Sequence, residues 1–351
     1  MENIDLSVII PVYNTENYFR KCIDSVILAI KKANINAEII VINDGSTGNI
    51  EEIMQDYLYN YSELITFISQ ANRGRGATRN LGLSKANGKY ISFIDSDDYI
   101  DENMYLNMFA KINDEQAEIV ICDFENVDYN NIKNNYRVEA KNMNIKDDKW
   151  GCFDEMILPS CCNKLIKKEL FDNITFPEHI NYEDLATIPV VVLKAKRVVY
   201  IPEILYKYVQ NENSVMHENF GLQQLNLINA LEIVCNRIEC IDIKESEKND
   251  AKYMVYTRRF YEELLEKIVL SNKKKELIRA FCDRVKTIEE TMYNNKNLQN
   301  LILKQNKKIS SKLLHNAIKH NLYKFLNLFL SKRLYYSFFA IKYTNISEKR
   351  S

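Results

Sequence analysis

LSVIIPVYNTENYFRKCIDSVILAIKKA, residues 6–33, holds one short β-branched run followed by a helical pattern, and that order decides the fold. LSVIIPVYN (6–14) is a continuous apolar run closed by turn residues, as expected of a strand buried on both faces. In the next segment Phe19, Cys22, Ile23, Val26, Ile27 and Ile30 recur at helical spacing. The unit then repeats. AEIIVINDGS (37–46) precedes the helical IEEIMQDYLYNY, ITFISQ (65–70) precedes GATRNLGLSKA, and KYISFIDSDD (89–98) and AEIVICDF (117–124) read as a fourth and a fifth strand. Short loops and intervening helices predict an α/β chain with a doubly wound, mostly parallel sheet and helices on both faces. Residues 125–150, rich in Asn, Asp and Lys, read as a loop or edge insertion, and order resumes at CFDEMILPSCCNKLIKKELF (152–171). Beyond about residue 220, Leu/Ile/Tyr/Lys-rich patterns with almost no Gly or Pro predict a helical C-terminal region, so the expected domains are 1–218 and 219–351.

A chain of 351 residues with 46% hydrophobic content has ample material for a core. Its formal net charge of -1 gives no footprint for nucleic acid, which is not an expected partner. The charge is uneven, because residues 301–351 carry many Lys and Arg and the single acid Glu348. The eight cysteines show no zinc-like spacing, and adjacent Cys161 and Cys162 suit neither a disulfide framework nor a metal knuckle, so reduced thiols are expected. The N-terminus reads as an early strand without a leader pattern, and no run reaches transmembrane length.

In doubly wound sheets, ligands bind beyond the carboxyl ends of the strands. Polar residues gather at those ends here: Tyr13-Asn14, Asn43-Asp44-Gly45-Ser46, and Asp95 to Asp98. Asp95 and Asp97 flank Ser96 and face the same way on an extended chain, which suits a hard divalent cation with positions open for phosphate oxygens. The plainer alternative is a solvated turn with Asp98 capping a helix. Asp44 can accept from a base N–H, and Gly45 permits close approach, although an ordinary Asx turn has the same residues. RGRGATRNLG (73–82) can cradle phosphates through Arg79 and backbone N–H groups. It is not a dinucleotide fingerprint, since Arg79 stands where GxGxxG needs its third Gly, and no P-loop motif exists. Glu183-Asp184 heads the apolar run of FPEHINYEDLATIPVVV, where an acid either caps a helix or serves as a general base.

Taken together, PVYN (11–14), NDGS (43–46), the N-x-G-x-x-x-x-R-N stretch from Asn72 to Asn80, ANGKYISFIDSDD (86–98) and CNKLIKKELFDNITFPEHINYEDL (162–185) resemble the family 2 glycosyltransferases of the GT-A fold, over residues 4 to about 216. The resemblance implies an inverting, nucleotide-sugar-dependent enzyme of hexosyltransferase type that uses Mn²⁺ or Mg²⁺. Pro11 and the backbone of Val12, Tyr13 and Asn14 would line the nucleoside pocket beside Gly45 and Ser46, and Asp44 would read the uracil of a UDP-sugar. Arg79 would lie near the diphosphate, Asp95 with Ser96 near the ribose and metal, and Asp97 would be the main metal ligand. Asp184 would be the catalytic base, with Glu183 as the second candidate. Thr78 departs from the Ala that many relatives place before Arg-Asn. Asn213, Ser214 and His217 could close over the diphosphate, with His217 either a further metal ligand or a surface histidine.

The implied acceptor is a hydroxyl of a glycan or lipid-linked glycan in bacterial surface polysaccharide synthesis, and the oligomeric state is left open. Two other classes compete. A haloacid-dehalogenase-type phosphatase places its DxD at the first strand rather than the fourth, and a non-catalytic nucleotide-binding or scaffold protein would share the fold. The tail KLLHNAIKHNLYKFLNLFLSKRLYYSFFAIKY (312–343) has apolar helical faces flanked by Lys and Arg. Such faces pack against neighbouring helices or lie on an anionic bilayer. A cytoplasmic protein, peripheral at the inner membrane face, is the corresponding expectation.

Overall fold

The structure, a computed structural model, describes residues 4–128, 133–134, 160–210 and 226–255. By contacts the chain divides into two compact units, Met1–Glu218 with Ile233–Asp242, and Asn219–Glu232 with Ile243–Ser351.

Within the first unit the opening run forms β1 (Leu6–Val12), every residue of it buried. Helix α1 (Glu16–Ala33) follows and buries the Phe19, Cys22, Ile23, Val26, Ile27 and Ile30 stripe. It stops at Asn34, whose φ of 50° is left-handed and whose N–H reaches back to the Ile30 and Lys31 carbonyls. The unit repeats as β2 (Ala37–Asn43), α2 (Ile50–Asn60), β3 (Ile65–Ser69), α3 (Arg75–Lys85) and β4 (Tyr90–Phe93). Helix α1 packs with α2, while α3 lies against β1 and β2. Strands β3, β2, β1 and β4 lie side by side in that order, all parallel. The chain builds outward from β1 to β3 and returns to the other side of β1 with β4, which opens a crevice at the carboxyl ends of β1 and β4.

Past β4 the sheet becomes mixed. Strand β5 (Tyr99–Ile100), helix α4 (Met104–Glu115) and β6 (Ile119–Asp128) come next, with α4 packed on α1. The fifth strand expected from sequence therefore extends to Asp128, into the stretch read as a loop, and β7 (Lys133–Asn134) pairs with it. The largest departure from expectation is β8 (Lys164–Lys167), which runs antiparallel between β4 and β6. It is four residues long and begins with a lysine that is fully buried. The Lys164 ammonium survives there by donating to the Ser160 carbonyl at 2.7 Å and to Asn163 Oδ1 at 2.9 Å, while burial lowers its pKa. A 3₁₀ turn (Lys168–Phe171) and helix α5 (Ile188–Lys194) lead to β9 (Val198–Gln210), parallel to β6 and antiparallel to β5. Helices α6 (Asn226–Cys240) and α7 (Glu245–Val255) are the described helices of the C-terminal region. None of the described helices is long and apolar enough to cross a membrane. The basic tail and most of residues 125–159 lie outside the described residues.

Candidate active site

The carboxyl ends of β1, β2 and β4 converge because their loops bond to one another. Asn14, at a left-handed φ of 53°, donates its N–H to Ser46 Oγ at 3.0 Å, and its Oδ1 accepts from the Thr47 N–H at 2.9 Å. Thr15 and Ser96 join hydroxyls at 2.7 Å, linking the loops that follow β1 and β4. Pro11 and Val12 are buried in β1, whereas Tyr13 stands 50% exposed at its mouth. Gly45 has a φ of +76°, and a Cβ there would come within 2.8 Å of the Asn72 nitrogen, so the turn needs glycine.

Asp44 is buried. Its Oδ1 accepts from Gln70 Nε2 at 2.7 Å and from the Arg73 N–H at 2.9 Å, and its Oδ2 from the Gly74 N–H at 2.9 Å. A carboxylate offers about four acceptor positions, so roughly one remains, on Oδ2. Asp44 thus anchors the loop before α3 and keeps capacity for one further donor. Thr78, whose hydroxyl accepts from Gln70 Nε2 at 3.2 Å and donates to the Gly74 carbonyl at 2.9 Å, braces the same loop.

The acidic turn after β4 separates its carboxylates by environment. Asp98 is buried, accepting from the Tyr206 hydroxyl and from the Val209 N–H at 2.8 Å, which ties β9 to the turn. Burial and the charges of Asp97 and Asp95 push its carboxyl well up. Asp98 is therefore a structural tie between strands rather than the helix cap weighed from sequence. Asp95 and Asp97 are half-buried. Burial would raise Asp95, but Arg79 and Arg75 outweigh it and hold its carboxyl below the usual range.

Arg79 is 2% exposed. Its Nη2 donates to Asp95 Oδ1 at 2.8 Å and its Nη1 to Glu183 Oε1 at 2.5 Å, and its plane sits 5.7 Å over the Phe176 ring. The side chain expected beside a diphosphate is in this arrangement an internal strut between β4 and the loop that carries Glu183 and Asp184. Glu183 is equally buried and also pairs with Arg75 Nε at 3.3 Å. Asp184 is half-buried, and burial, then the neighbouring charge of Glu183, raises its carboxyl to about 6. The Leu185 N–H bonds its Oδ1 at 2.7 Å. Asp184 has the access to solvent that buried Glu183 lacks, and its own pKa is lifted toward neutrality, the condition a general base requires.

Three residues to which the sequence reading gave no role of their own, two of them inside its motifs, position that loop. Asn80 clamps Phe176 by donating to its carbonyl and accepting from its N–H, both at 2.8 Å. Arg237 donates to the Thr175 carbonyl at 2.7 Å and the Ala186 carbonyl at 2.9 Å. Gly76 allows the loop to approach α3, since a Cβ there would collide with the Pro177 carbonyl oxygen. Tyr182, immediately before the acids, holds a left-handed φ of 69°, a strained conformation of the kind that clusters at functional sites. Gly76→Ala is expected to cost about 1–3 kcal/mol of stability, because backbone rather than a flexible side chain must move. An unchanged thermal midpoint would show that the approach is not tight.

The donor set suits a hard cation only in part. Asp97 and the Asp95 oxygen not engaged by Arg79 offer oxygen donors, and no group of three or more His, Cys, Asp or Glu poised for a metal occurs among the described residues. Such a site fits Mg²⁺ or Mn²⁺, which keep waters and take substrate oxygens, rather than a closed protein cage. Asn213, Ser214 and His217 lie outside the described residues.

A family model described as Glycosyl transferase family 2 matches residues 7–175. The glycosyltransferase GlyG of Streptococcus pneumoniae serotype 4 is 32% identical over 230 residues, which cover 62% of this chain and 74% of GlyG. The minor teichoic acid biosynthesis protein GgaB of Bacillus subtilis (strain 168) is 31% identical over 218 residues, 60% of this chain, of which the match spans only 23% of GgaB. Among solved structures, S. aureus TarS residues 1–349 in complex with UDP-GlcNAc aligns with a TM-score of 0.68 at 21% identity, covering 80% of this chain and 81% of that one. That likeness is one of fold: a mixed, largely parallel GT-A sheet with helices.

Proposed function

The chain belongs to glycosyl transferase family 2, and from that premise we propose that it moves a sugar from a UDP-sugar to a hydroxyl of a surface glycan or lipid-linked glycan, with inversion at the anomeric carbon. One observation carries the reading. The Asp95–Arg79–Glu183 chain of ion pairs, at 2.8 and 2.5 Å, fixes the end of a nucleotide-binding strand to a loop that is 88 residues further on and carries a carboxyl raised to about 6.

In this reading the nucleoside lies on Val12 to Asn14 and Gly45 to Ser46, with the remaining acceptor position of Asp44 Oδ2 meeting a base N–H. The UDP-GlcNAc bound by TarS, which shares the fold, supports a uridine donor. Asp97 and Asp95 would hold Mn²⁺ or Mg²⁺, which when bound neutralises charge growing on the departing diphosphate. Asp184 takes the proton of the acceptor hydroxyl as that oxygen attacks, and one displacement inverts the centre. Glu183, clamped between Arg79 and Arg75, raises the basicity of its neighbour through its charge. The teichoic acid role printed for GgaB supports an acceptor in surface glycan synthesis, and the basic 312–343 stretch supports placement at an anionic membrane face.

The test is UDP release from a panel of UDP-sugars with Mn²⁺, with and without glycan acceptors, followed by linkage analysis. Turnover with one donor and an inverted linkage is the expected result. UDP binding without turnover on any donor or acceptor would leave a non-catalytic binding protein.

A further inference from the structure

Two guanidiniums of the site face solvent: that of Arg73 is engaged at its terminal amino group by Glu178 at 2.9 Å, and that of Arg75 has no role assigned above. Arg75, in the first turn of α3, has a side chain 53% exposed, against 3% for Arg79. Among the described residues its ion pair is made through Nε, to Glu183 at 3.3 Å, and no hydrogen bond or further ion pair engages its two terminal amino groups. Arg79 has the opposite arrangement, with both terminal amino groups committed to Glu183 and Asp95. The same carboxylate therefore orients two arginines, holding one as a strut and aiming the other's free fork outward.

Arg75 also follows Gly74, whose N–H is fixed by Asp44, so its backbone is tied to the wall proposed to read the nucleobase. A planar fork with free terminal N–H groups matches two oxygens of a phosphate, and pre-orientation through Nε reduces the entropy lost on binding. We propose that Arg75 is the residue that contacts the diphosphate of the nucleotide donor, and that Arg79 acts on the donor only indirectly, by holding Asp95 and Glu183 in place. This rests on the donor reading above.

The experiment is calorimetric titration of wild type, R75Q and R75K with UDP and with uridine, at constant Mn²⁺, alongside acceptor kinetics. Wild type is expected to prefer UDP over uridine, and R75Q to lose about 10- to 100-fold of UDP affinity while keeping its uridine affinity, as befits loss of charge-assisted hydrogen bonds. R75K, which keeps the charge without the fork, is expected to fall between the two, and it decides the matter if R75Q does not fold. An unchanged ratio of UDP to uridine affinity in R75Q or R75K overturns the assignment. So does an unchanged UDP affinity with a raised acceptor KM, which would place Arg75 on the acceptor. Failure of wild type to bind UDP at all would instead sink the donor reading itself.

Discussion

Asp184→Asn is expected to lower sugar transfer by about 10²- to 10⁴-fold, the range a positioned general base supplies, while leaving UDP affinity unchanged. The substitution is nearly isosteric, and the amide can still accept from the Leu185 N–H at the position of Oδ1. Stability should not suffer. In the folded protein the Asp184 carboxyl is raised to about 6 by burial and by Glu183, so its charged form is disfavoured relative to the unfolded chain above the ordinary carboxylate range, and removing that charge relieves the cost. The pH profile gives the same assignment a second reading. A base must be unprotonated to act, so kcat/KM of the wild type is expected to fall about tenfold per pH unit below a midpoint near 6. In the Asn variant the residual activity should lose that limb. A variant with wild-type turnover, or with the limb intact, would move the proton transfer elsewhere. Glu183 is then a poor substitute, because its buried carboxylate is already held by Arg79 and Arg75.

Asp97→Asn addresses the other half of the reaction, and its expected effect is comparable. Loss of outer-shell groups already costs 10–100-fold in metal affinity, so loss of the principal carboxylate is expected to weaken Mn²⁺-dependent UDP binding by about 100-fold and turnover at least in proportion. Binding of UDP in the presence of chelator should not change. The fold is expected to tolerate the change well, since Asp97 is half-buried and its charge helps to push the Asp98 carboxyl up. Removing it lets Asp98 bond Tyr206 and the Val209 N–H with less repulsion. Calorimetry with and without Mn²⁺ checks the first claim and thermal unfolding the second. Equal Mn²⁺-dependent affinity in variant and wild type would remove Asp97 from the metal assignment.

What the sequence disclosed follows from how local each feature is. Strands β1 to β4 and the helices between them appear as apolar runs and 3.6-residue stripes because each buries its own face. Strand β8 was invisible for the opposite reason. A four-residue KLIK segment has no period of its own, and its Lys164 is stable inside only because Ser160 and Asn163 accept its protons. The length of β9 and its irregular register against β6 near Cys122 and Asp123 are likewise set by partners, Asp98 among them. In the site, motif spacing brought Asp44, Asp95, Asp97 and Asp184 into view, but it could not distribute labour within the arginines. Arg75 and Arg79 sit on one helix four residues apart, and only contacts with Glu183 and Asp95 make one a strut and leave the other's fork open. Gln70 and Arg237 carry no signal in isolation, and Asn80 shows only as the last residue of a motif, since each acts on a chain segment far away in sequence.

The latching of residues 175–187 limits how this protein can be re-engineered. The segment is held from α3 by Asn80 and Arg79 and from α6 by Arg237, and it passes so close to Gly76 that no larger residue fits there. A loop transplanted from a relative with a different acceptor would arrive without its own latches. A successful chimera must therefore exchange the segment together with its counterparts of residues 76, 79, 80 and 237. Libraries aimed at new acceptors are better directed at residues 179–181, which are exposed or partly exposed, and should spare Glu178, which pairs with Arg73 at 2.9 Å.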